Sequence, residues 1–177
     1  VRLVPTHGLI IKPAKAPAID AVLGEGCWSP VITVSLSDEP DLKAIWSEET
    51  ESQFEIFDNG HRVGMVNWEL AGRHNVENAL AAIAAARHVG VPLAHAISAL
   101  STFQGVKRRM ELICRAGIIN IYDDFAHHPT AIQTTLLGLR ARVGQDKVIA
   151  VIELGSYTMR GGEPVSYTHL TLPTTRL

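Results

Sequence analysis

The segment from Glu111 to Leu154 most constrains the fold, because strand-like and helix-like patterns alternate within it. "ELICRAGIINIYDD" predicts two short strands around Ala116-Gly117, "PTAIQTTLLGLRARVG" predicts a helix, and "KVIAVIEL" predicts a buried strand. A strand, a helix and a second strand in this order indicate a parallel βαβ unit. The fold class predicted from the sequence is therefore α/β.

The first hundred residues predict a second group of strands and helices. Five prolines break the apolar runs before residue 50, which indicates brief strands in a loop-rich region. Two apolar runs flank Asn59-Gly60, a pair that readily adopts the positive φ angles of a hairpin turn. "NVENALAAIAAARHVG" predicts a helix that stops at Gly90, and Pro92 predicts the start of a second helix that runs to about Leu100.

A change in periodicity after this second helix predicts a domain boundary near Gly105 to Arg109. We therefore expect residues 1–106 and 107–164 to belong to different domains. The last residues, Val165 to Leu177, continue neither pattern and closely resemble the translation of a sequencing adaptor. We exclude this tail from the fold as non-native and expect the natural chain to continue past Pro164.

Composition excludes several classes of function. A formal net charge of -2 gives no overall positive field for a nucleic acid backbone. No apolar run approaches the roughly 20 residues that span a bilayer, and the N-terminus has no secretory signal pattern. Cys27 and Cys114 lie far apart without metal-binding spacing, which fits a reducing compartment. We expect a cytoplasmic, globular monomer without a nucleic acid or membrane partner.

The stretch "YDDFAHHPT", residues 122–130, concentrates ionisable side chains where the predicted strand turns into the predicted helix. Ligands collect at the carboxyl ends of strands in α/β sheets, where helix N-termini attract anions, so this pattern favours a phosphate or carboxylate site. The structural alternative is that Asp123 and Asp124 cap the turn while His127 and His128 are solvated. Zinc is disfavoured, because adjacent side chains diverge and no third ligand has suitable spacing.

Two further motifs are candidates for binding a nucleotide. Asn75 and Asn78 are three positions apart at the start of a predicted helix, so their amides share a face and can read an adenine edge. Asn75 is also a good N-cap, which is its structural alternative. "VKRRME" places Arg108 and Arg109 near the predicted boundary, where a guanidinium suits phosphate oxygens. The alternative for this segment is a solvated charge run.

The motifs "GRHNVENALAAIAAARHVGV", "FQGVKRRME" and "YDDFAHHPTAI", in this order and spacing, closely resemble the Mur ligases of peptidoglycan synthesis. The fit spans most of residues 1–164. The resemblance implies three domains, of which this chain matches the end of a central P-loop ATPase domain and the start of a Rossmann-like C-terminal domain. The P-loop and the Mg²⁺ ligands are then expected upstream of Val1. We therefore assign no residue of this chain to the metal, and we expect the chain alone to be inactive.

The resemblance also implies roles for the motif residues. Asn75 and Asn78 would face the adenine of ATP. Arg109 would contact its phosphates and Asp124 its ribose, and His127 would lie near the reacting phosphate. The implied reaction joins UDP-N-acetylmuramate to the peptide L-alanyl-γ-D-glutamyl-meso-diaminopimelate through an acyl phosphate, in peptidoglycan recycling. L-alanine is the alternative amino substrate, and a non-catalytic nucleotide-binding module is the alternative to a ligase.

One segment departs from the family pattern. "ELGSYTMRGGEP" resembles the family's "EPRSNTMK", but Gly155 and Tyr157 stand where that pattern has an arginine and an asparagine. The resemblance therefore implies that a guanidinium that contacts substrate is missing. Either substrate recognition has diverged or the sequence contains errors, and we favour errors because the departures cluster beside the adaptor-like tail.

Overall fold

The chain divides into two compact units, the first ending at Gln104 and the second beginning at Gly105. The computed structural model describes residues 3–46, 52–70 and 72–152. Within these ranges, no helix is long and apolar enough to cross a membrane. Strands and helices occur in both units, so the predicted α/β class is confirmed.

A five-stranded mixed sheet, with its strands in chain order, forms the centre of the first unit. Its strands are β1 (Ile10–Pro13), β2 (Val31–Ser35), β3 (Leu42–Trp46), β4 (Gln53–Asp58) and β5 (His61–Asn67). The first three strands run parallel, and β4 and β5 pair antiparallel to their neighbours. The brief strands predicted here are confirmed. The sequence pattern does not predict α1 (Pro17–Gly24), a helix of eight residues, because the prolines around it indicate a loop-rich region.

Two helices pack against this sheet. α2 (Arg73–His88) packs against β1, β2 and β3, and α3 (Leu93–Ser101) packs against β5 and α2. The buried residues of α2 recur at helical spacing: Val76, Ala79, Leu80, Ile83 and Ala84. Together with buried strand residues they form one hydrophobic core. Both predicted helices are confirmed, and Gly90 follows the first with a φ of 91°.

The predicted hairpin between β4 and β5 is confirmed. Asn59 has a φ of 46° and Gly60 a φ of 78°, the positive angles that a two-residue turn requires. Asp58, beside the turn, accepts a 2.6 Å hydrogen bond from Arg87 Nη1 at the end of α2. The hairpin tip is therefore tied to the helix layer by an ion pair.

A hairpin and a helix form the described part of the second unit. β6 (Glu111–Ala116) pairs antiparallel with β7 (Ile119–Asp123), and α4 (Pro129–Val143) follows. All three elements lie where the sequence predicts them. Ile132 of α4 is the one buried residue within residues 105–152, so the apolar side chains of the hairpin are exposed or partly exposed.

The buried strand predicted from "KVIAVIEL" is wrong for the residues that the structure describes. Residues 147–152 form no strand, and Ile149 and Val151 are 76% and 94% exposed. A strand needs a hydrogen-bonding neighbour, and among the described strands β6 and β7 pair only with each other, so the predicted parallel βαβ unit does not form there. Several predicted features lie outside the described residues: Glu153, Leu154, Gly155, Tyr157 and the tail Val165–Leu177.

Candidate functional site

The turn between β7 and α4 lies where the sequence places it. β7 ends at Asp123, and α4 begins at Pro129, a helical position where the missing N–H of proline removes no hydrogen bond. His128 precedes the helix in extended backbone, and no side chain within the described ranges caps the helix N-terminus. The first amides of α4 are therefore a source of positive potential for an anion.

Asp124 receives main-chain N–H groups on both of its oxygens. Its Oδ1 accepts from Ala126 N at 2.6 Å, and its Oδ2 accepts from Met110 N at 2.9 Å. The first contact is a local cap of the turn, and the second joins the turn to the linker before β6. The structural alternative is therefore realised for Asp124. An ionised carboxylate has about four acceptor sites, so this structural role leaves room for a ligand.

Arg108 contacts the turn directly, whereas Arg109 does not contact it through its side chain. Arg108 Nε lies 3.1 Å from Asp123 Oδ2, and its guanidinium carbon lies 5.0 Å from the centre of the Phe125 ring. Arg109 N donates to Val106 O at 3.0 Å, while the Arg109 side chain is exposed. Sequence reasoning missed the contacts of Arg108, because an irregular segment has no periodicity that would separate two neighbouring arginines.

His127 is oriented by Phe125. Its Nδ1 lies 3.0 Å from Phe125 O, and the two rings meet edge to face with their centres 5.1 Å apart. His127 and His128 are both exposed. In the part of the chain that the structure describes, no group of three or more His, Cys, Asp or Glu side chains is placed to hold a metal ion.

Asn75 and Asn78 lie on α2, in the first unit. Gly72 occupies the N-cap position, and Asn75 N donates to Gly72 O at 3.0 Å, so the alternative that Asn75 caps the helix is wrong. The helix starts earlier than that alternative requires, because Arg73 and His74 are already helical. Asn75 is half-buried and Asn78 is exposed, and their spacing places both amides on one side of the helix.

Two carboxylates with lowered pKa values lie between β2 and β3. Thr33 donates to Asp41 Oδ2 from its main-chain N at 2.8 Å and from its hydroxyl at 2.7 Å, and these bonds lower the pKa of Asp41. The hydrogen bond from the Lys15 ammonium is the main cause that lowers the pKa of Asp38. In both cases the contact stabilises the charged carboxylate. Sequence analysis missed these pairs because the partners are distant along the chain.

Two family models match the chain. The Mur ligase middle domain matches residues 2–86, and the Mur ligase, glutamate ligase domain, matches residues 108–164. The first match contains α2 with Asn75 and Asn78. The second contains the linker arginines and the turn between β7 and α4.

Known proteins resemble the chain across both matched domains. It is 44% identical over 163 residues to the UDP-N-acetylmuramate–L-alanyl-gamma-D-glutamyl-meso-2,6-diaminoheptandioate ligase of Escherichia coli K12, covering 92% of this chain and 35% of the relative. It is 33% identical over 167 residues to the UDP-N-acetylmuramate–L-alanine ligase of Magnetococcus marinus MC-1, covering 89% and 35%.

A solved structure also resembles the chain. The murein peptide ligase mpl of Psychrobacter arcticus 273-4 superposes with a TM-score of 0.64 at 39% sequence identity, over 89% of this chain and 35% of that one. The chain therefore spans about a third of the length of the relatives that it matches.

Proposed function

Because the chain belongs to the Mur ligase family, we propose that it is part of an ATP-dependent ligase that joins UDP-N-acetylmuramate to L-alanyl-γ-D-glutamyl-meso-diaminopimelate in peptidoglycan recycling. The observation that carries this proposal is the 44% identity to the Escherichia coli ligase, which extends through both matched domains. Two peptide ligases are 44% and 40% identical to the chain and six L-alanine ligases are 31–39% identical, so the peptide is favoured over L-alanine as the amino substrate by a small margin.

We assign residues 1–106 to the C-terminal part of a P-loop-type central domain and residues 107–164 to the N-terminal part of a Rossmann-like C-terminal domain. The matched ranges, 2–86 and 108–164, support this division. The proposed enzyme is a cytoplasmic monomer, and the free thiols of Cys27 and Cys114 fit such a reducing compartment.

The proposed reaction has two steps. The γ-phosphoryl group of ATP is transferred to the lactyl carboxylate of the muramate, giving an acyl phosphate and ADP. The peptide amine then attacks the acyl carbon and loses a proton, and inorganic phosphate leaves with the electron pair of the broken C–O bond. Phosphoryl transfer of this kind depends on positioning and charge stabilisation more than on covalent chemistry by the protein.

Arg109 is the proposed contact to the ATP phosphates. Its side chain is exposed and permanently charged, and its planar fork matches phosphate oxygens. Arg108 is engaged with Asp123 and Phe125, whereas the Arg109 guanidinium makes no such contact within the described residues. The uncapped N-terminus of α4 is a second source of positive potential in the same unit.

Asp124 and His127 are the proposed contacts on the turn. Asp124 would accept a ribose hydroxyl at the acceptor sites that its two main-chain bonds leave open. His127 would contact the reacting phosphate, and the contact between its Nδ1 and Phe125 O orients the ring. In the imidazolium form both ring nitrogens donate, so the same orientation would serve an anionic group.

The remaining assignments concern the adenine base of ATP and the metal ion. Asn75 and Asn78 would face the adenine, where their amides can donate and accept together. Mur ligases use Mg²⁺ with ATP. The described residues contain no cluster of potential ligands, so we assign none of them to the metal.

A ligation assay on the protein encoded by the complete gene, amplified without sequencing adaptors, tests the proposal. We expect phosphate release that requires ATP, UDP-N-acetylmuramate and the peptide together. L-alanine in place of the peptide tests the alternative substrate. Absence of phosphate release with either amine would overturn the ligase proposal.

The same amplified gene tests two further points. Residues 1–164 alone should show no ligation. If residues 1–164 bind ATP at millimolar concentration but the full protein shows no ligase activity, a nucleotide-binding module is favoured. An arginine at position 155 and an asparagine at position 157 would show that Gly155 and Tyr157 are sequence errors. Finding Gly155 and Tyr157 again would indicate diverged substrate recognition.

A further inference from the structure

The linker before β6 has an unusual backbone on both sides of Arg109. Arg108 has a φ of 57° and Met110 a φ of 50°, in the left-handed region that residues other than glycine rarely adopt. Such conformations persist only where the surrounding contacts impose them, and they concentrate at functional sites. Two such conformations flank Arg109, the residue proposed to contact phosphate. The contacts that hold these conformations therefore also fix the backbone of Arg109.

Hydrogen bonds from main-chain groups hold Arg108 and Met110 in their left-handed conformations. Phe125 N donates to Arg108 O at 2.8 Å, and Met110 N donates to Asp124 Oδ2 at 2.9 Å. Arg108 N donates to Glu111 Oε2 at 2.8 Å. Two of these three partners belong to the turn between β7 and α4. The linker and the turn are therefore joined directly, although the whole β6–β7 hairpin separates them in sequence.

The Arg108 side chain reinforces the same junction. Its Nε donates to Asp123 Oδ2 at 3.1 Å, and its guanidinium carbon lies 5.0 Å from the centre of the Phe125 ring, within the range of a cation–π contact. Phe125 in turn packs edge to face against His127. Arg108 therefore contacts the aromatic ring that orients His127.

From this geometry we infer that Arg108 is a positioning residue, which fixes the backbone of Arg109 and the ring of His127 without contacting substrate itself. The inference rests on the proposed function, which assigns ligand contacts to Arg109 and His127. The Arg108–Asp123 pair is 54% and 36% exposed, and half-exposed ion pairs add little to the stability of a fold. Its loss should therefore change catalysis much more than unfolding.

The first test is Arg108→Gln in the full-length enzyme. We expect kcat for ligation to fall about 10- to 100-fold, since a misplacement of about 1 Å can cost a factor of about 100, while the thermal unfolding midpoint changes little. Arg108→Lys keeps the charge but lacks the planar fork, so it should recover activity in part. Arg115→Gln, an equal charge change at an exposed position of β6, is the matched control and should retain wild-type kcat and KM.

Asp123→Asn separates positioning from direct phosphate contact. If Arg108 acts by positioning, Asp123→Asn lowers kcat as Arg108→Gln does, and the double variant is no worse than Arg108→Gln alone, because both changes remove one shared interaction. If Arg108 contacts phosphate itself, Asp123→Asn releases its guanidinium and leaves kcat and the KM for ATP unchanged or improved. That second result would overturn the inference, and it can be read even if Arg108→Gln fails to fold.

Amide hydrogen exchange provides a readout that is independent of ligation. Arg108→Gln should accelerate exchange at the amides of Phe125 and Met110 about tenfold relative to Arg115→Gln, because both amides lie in the junction. Unchanged exchange in an active enzyme would overturn the inference. If exchange is accelerated in Arg108→Gln but the wild-type enzyme shows no ligation, the proposed function is overturned instead, and Arg108 keeps a structural role only.

Discussion

Both units of the chain carry runs of apolar side chains, but they bury them very differently. In the first unit Ile56 and Leu80 are fully buried in a continuous core between the sheet and its helices. In the second unit Ile113 and Ile119 are 61% and 60% exposed on the hairpin. A five-stranded sheet with two helices gives a pair of apolar layers to pack together, whereas a two-stranded hairpin with one helix does not.

Within the described residues, different contacts therefore hold the two units. In the first, apolar packing fixes the position of α2 and hence of Asn75 and Asn78. In the second, directed polar contacts fix the turn, chiefly those of Asp124 and Arg108. Substitutions that remove apolar volume should therefore affect the first unit most, and substitutions that remove hydrogen bonds should be felt in the second.

The largest effect is expected from matched isoleucine truncations. Ile56→Ala should destabilise the chain by about 2–5 kcal/mol, because it leaves a cavity in a close-packed core. Ile119→Ala makes the same chemical change on the exposed hairpin and should cost less than about 1 kcal/mol. Urea unfolding followed by far-UV circular dichroism measures both. Equal losses would show that the second unit has a core of its own and would remove the contrast.

A smaller effect is expected where β5 meets α3. A Cβ on Gly64 would lie 3.0 Å from Ile97 Cδ1 and 3.3 Å from Ile97 Cγ2, so Gly64→Ala should cost about 1–3 kcal/mol through overpacking. Gly24→Ala is the control, since nothing lies within 4 Å of its added Cβ. Unfolding free energies measure both variants. Adding Ile97→Val should recover part of the loss, and no recovery would mean that the clash is not the cause.

In the second unit, polar contacts at the end of α4 should matter. Arg140 Nη1 donates to Gly144 O at 2.8 Å and to Asp146 O at 2.7 Å, closing the helix C-terminus. Arg140→Gln should cost about 1 kcal/mol and accelerate amide exchange in the last turn of α4. Arg142→Gln, an equal charge change at an exposed position, should cost less than about 0.5 kcal/mol. Equal costs would show that the helix end is not held by these bonds.

The smallest effect is expected from pH, in the first unit. The pKa of Asp41 is lower in the folded than in the unfolded chain. Its contribution to the free energy of unfolding is therefore complete above the unfolded-state pKa near 3.8 and is lost as the pH falls towards the folded-state pKa. Since Asp41 is only partly buried, the loss below about pH 4 should stay under about 1 kcal/mol. Unfolding free energies between pH 3 and pH 7 measure it.

Two variants identify the cause of this pH dependence. Asp41→Asn should flatten the pH dependence of unfolding below about pH 4, because it removes the titrating group. Thr33→Val should flatten it in part, because it removes the hydroxyl donor but keeps the main-chain N–H. An unchanged slope in Asp41→Asn would assign the acid sensitivity to other carboxylates.

Several elements of the fold could be predicted because their signals lie in adjacent residues. Asn59-Gly60 predicts a tight hairpin from backbone preferences alone, and the alanine-rich run before Gly90 predicts α2 from its period. The strand-to-helix turn at Asp123 to Pro129 was predictable for the same reason. α1 was not, because it spans only eight residues and the prolines around it indicate loops.

Parts of the site could be predicted less well. The sequence identifies a basic linker and an acidic turn, but it does not show that Met110 N binds Asp124 or that Arg108, and not Arg109, contacts Asp123. It also predicts a strand at 147–152, where the described structure has none. Each of these outcomes depends on which distant segment supplies a partner.

The sequence by itself therefore determined the α/β class, the hairpin at Asn59-Gly60, the helices α2 and α3 and the position of the ionisable turn. These features follow from backbone preferences and apolar periods that neighbouring residues express. Only the tertiary structure decided that Arg108 joins the linker to the turn and that Met110 N donates to Asp124. The physical reason is that hydrogen bonds and ion pairs join groups across the fold, and their geometry is set only when distant segments pack together.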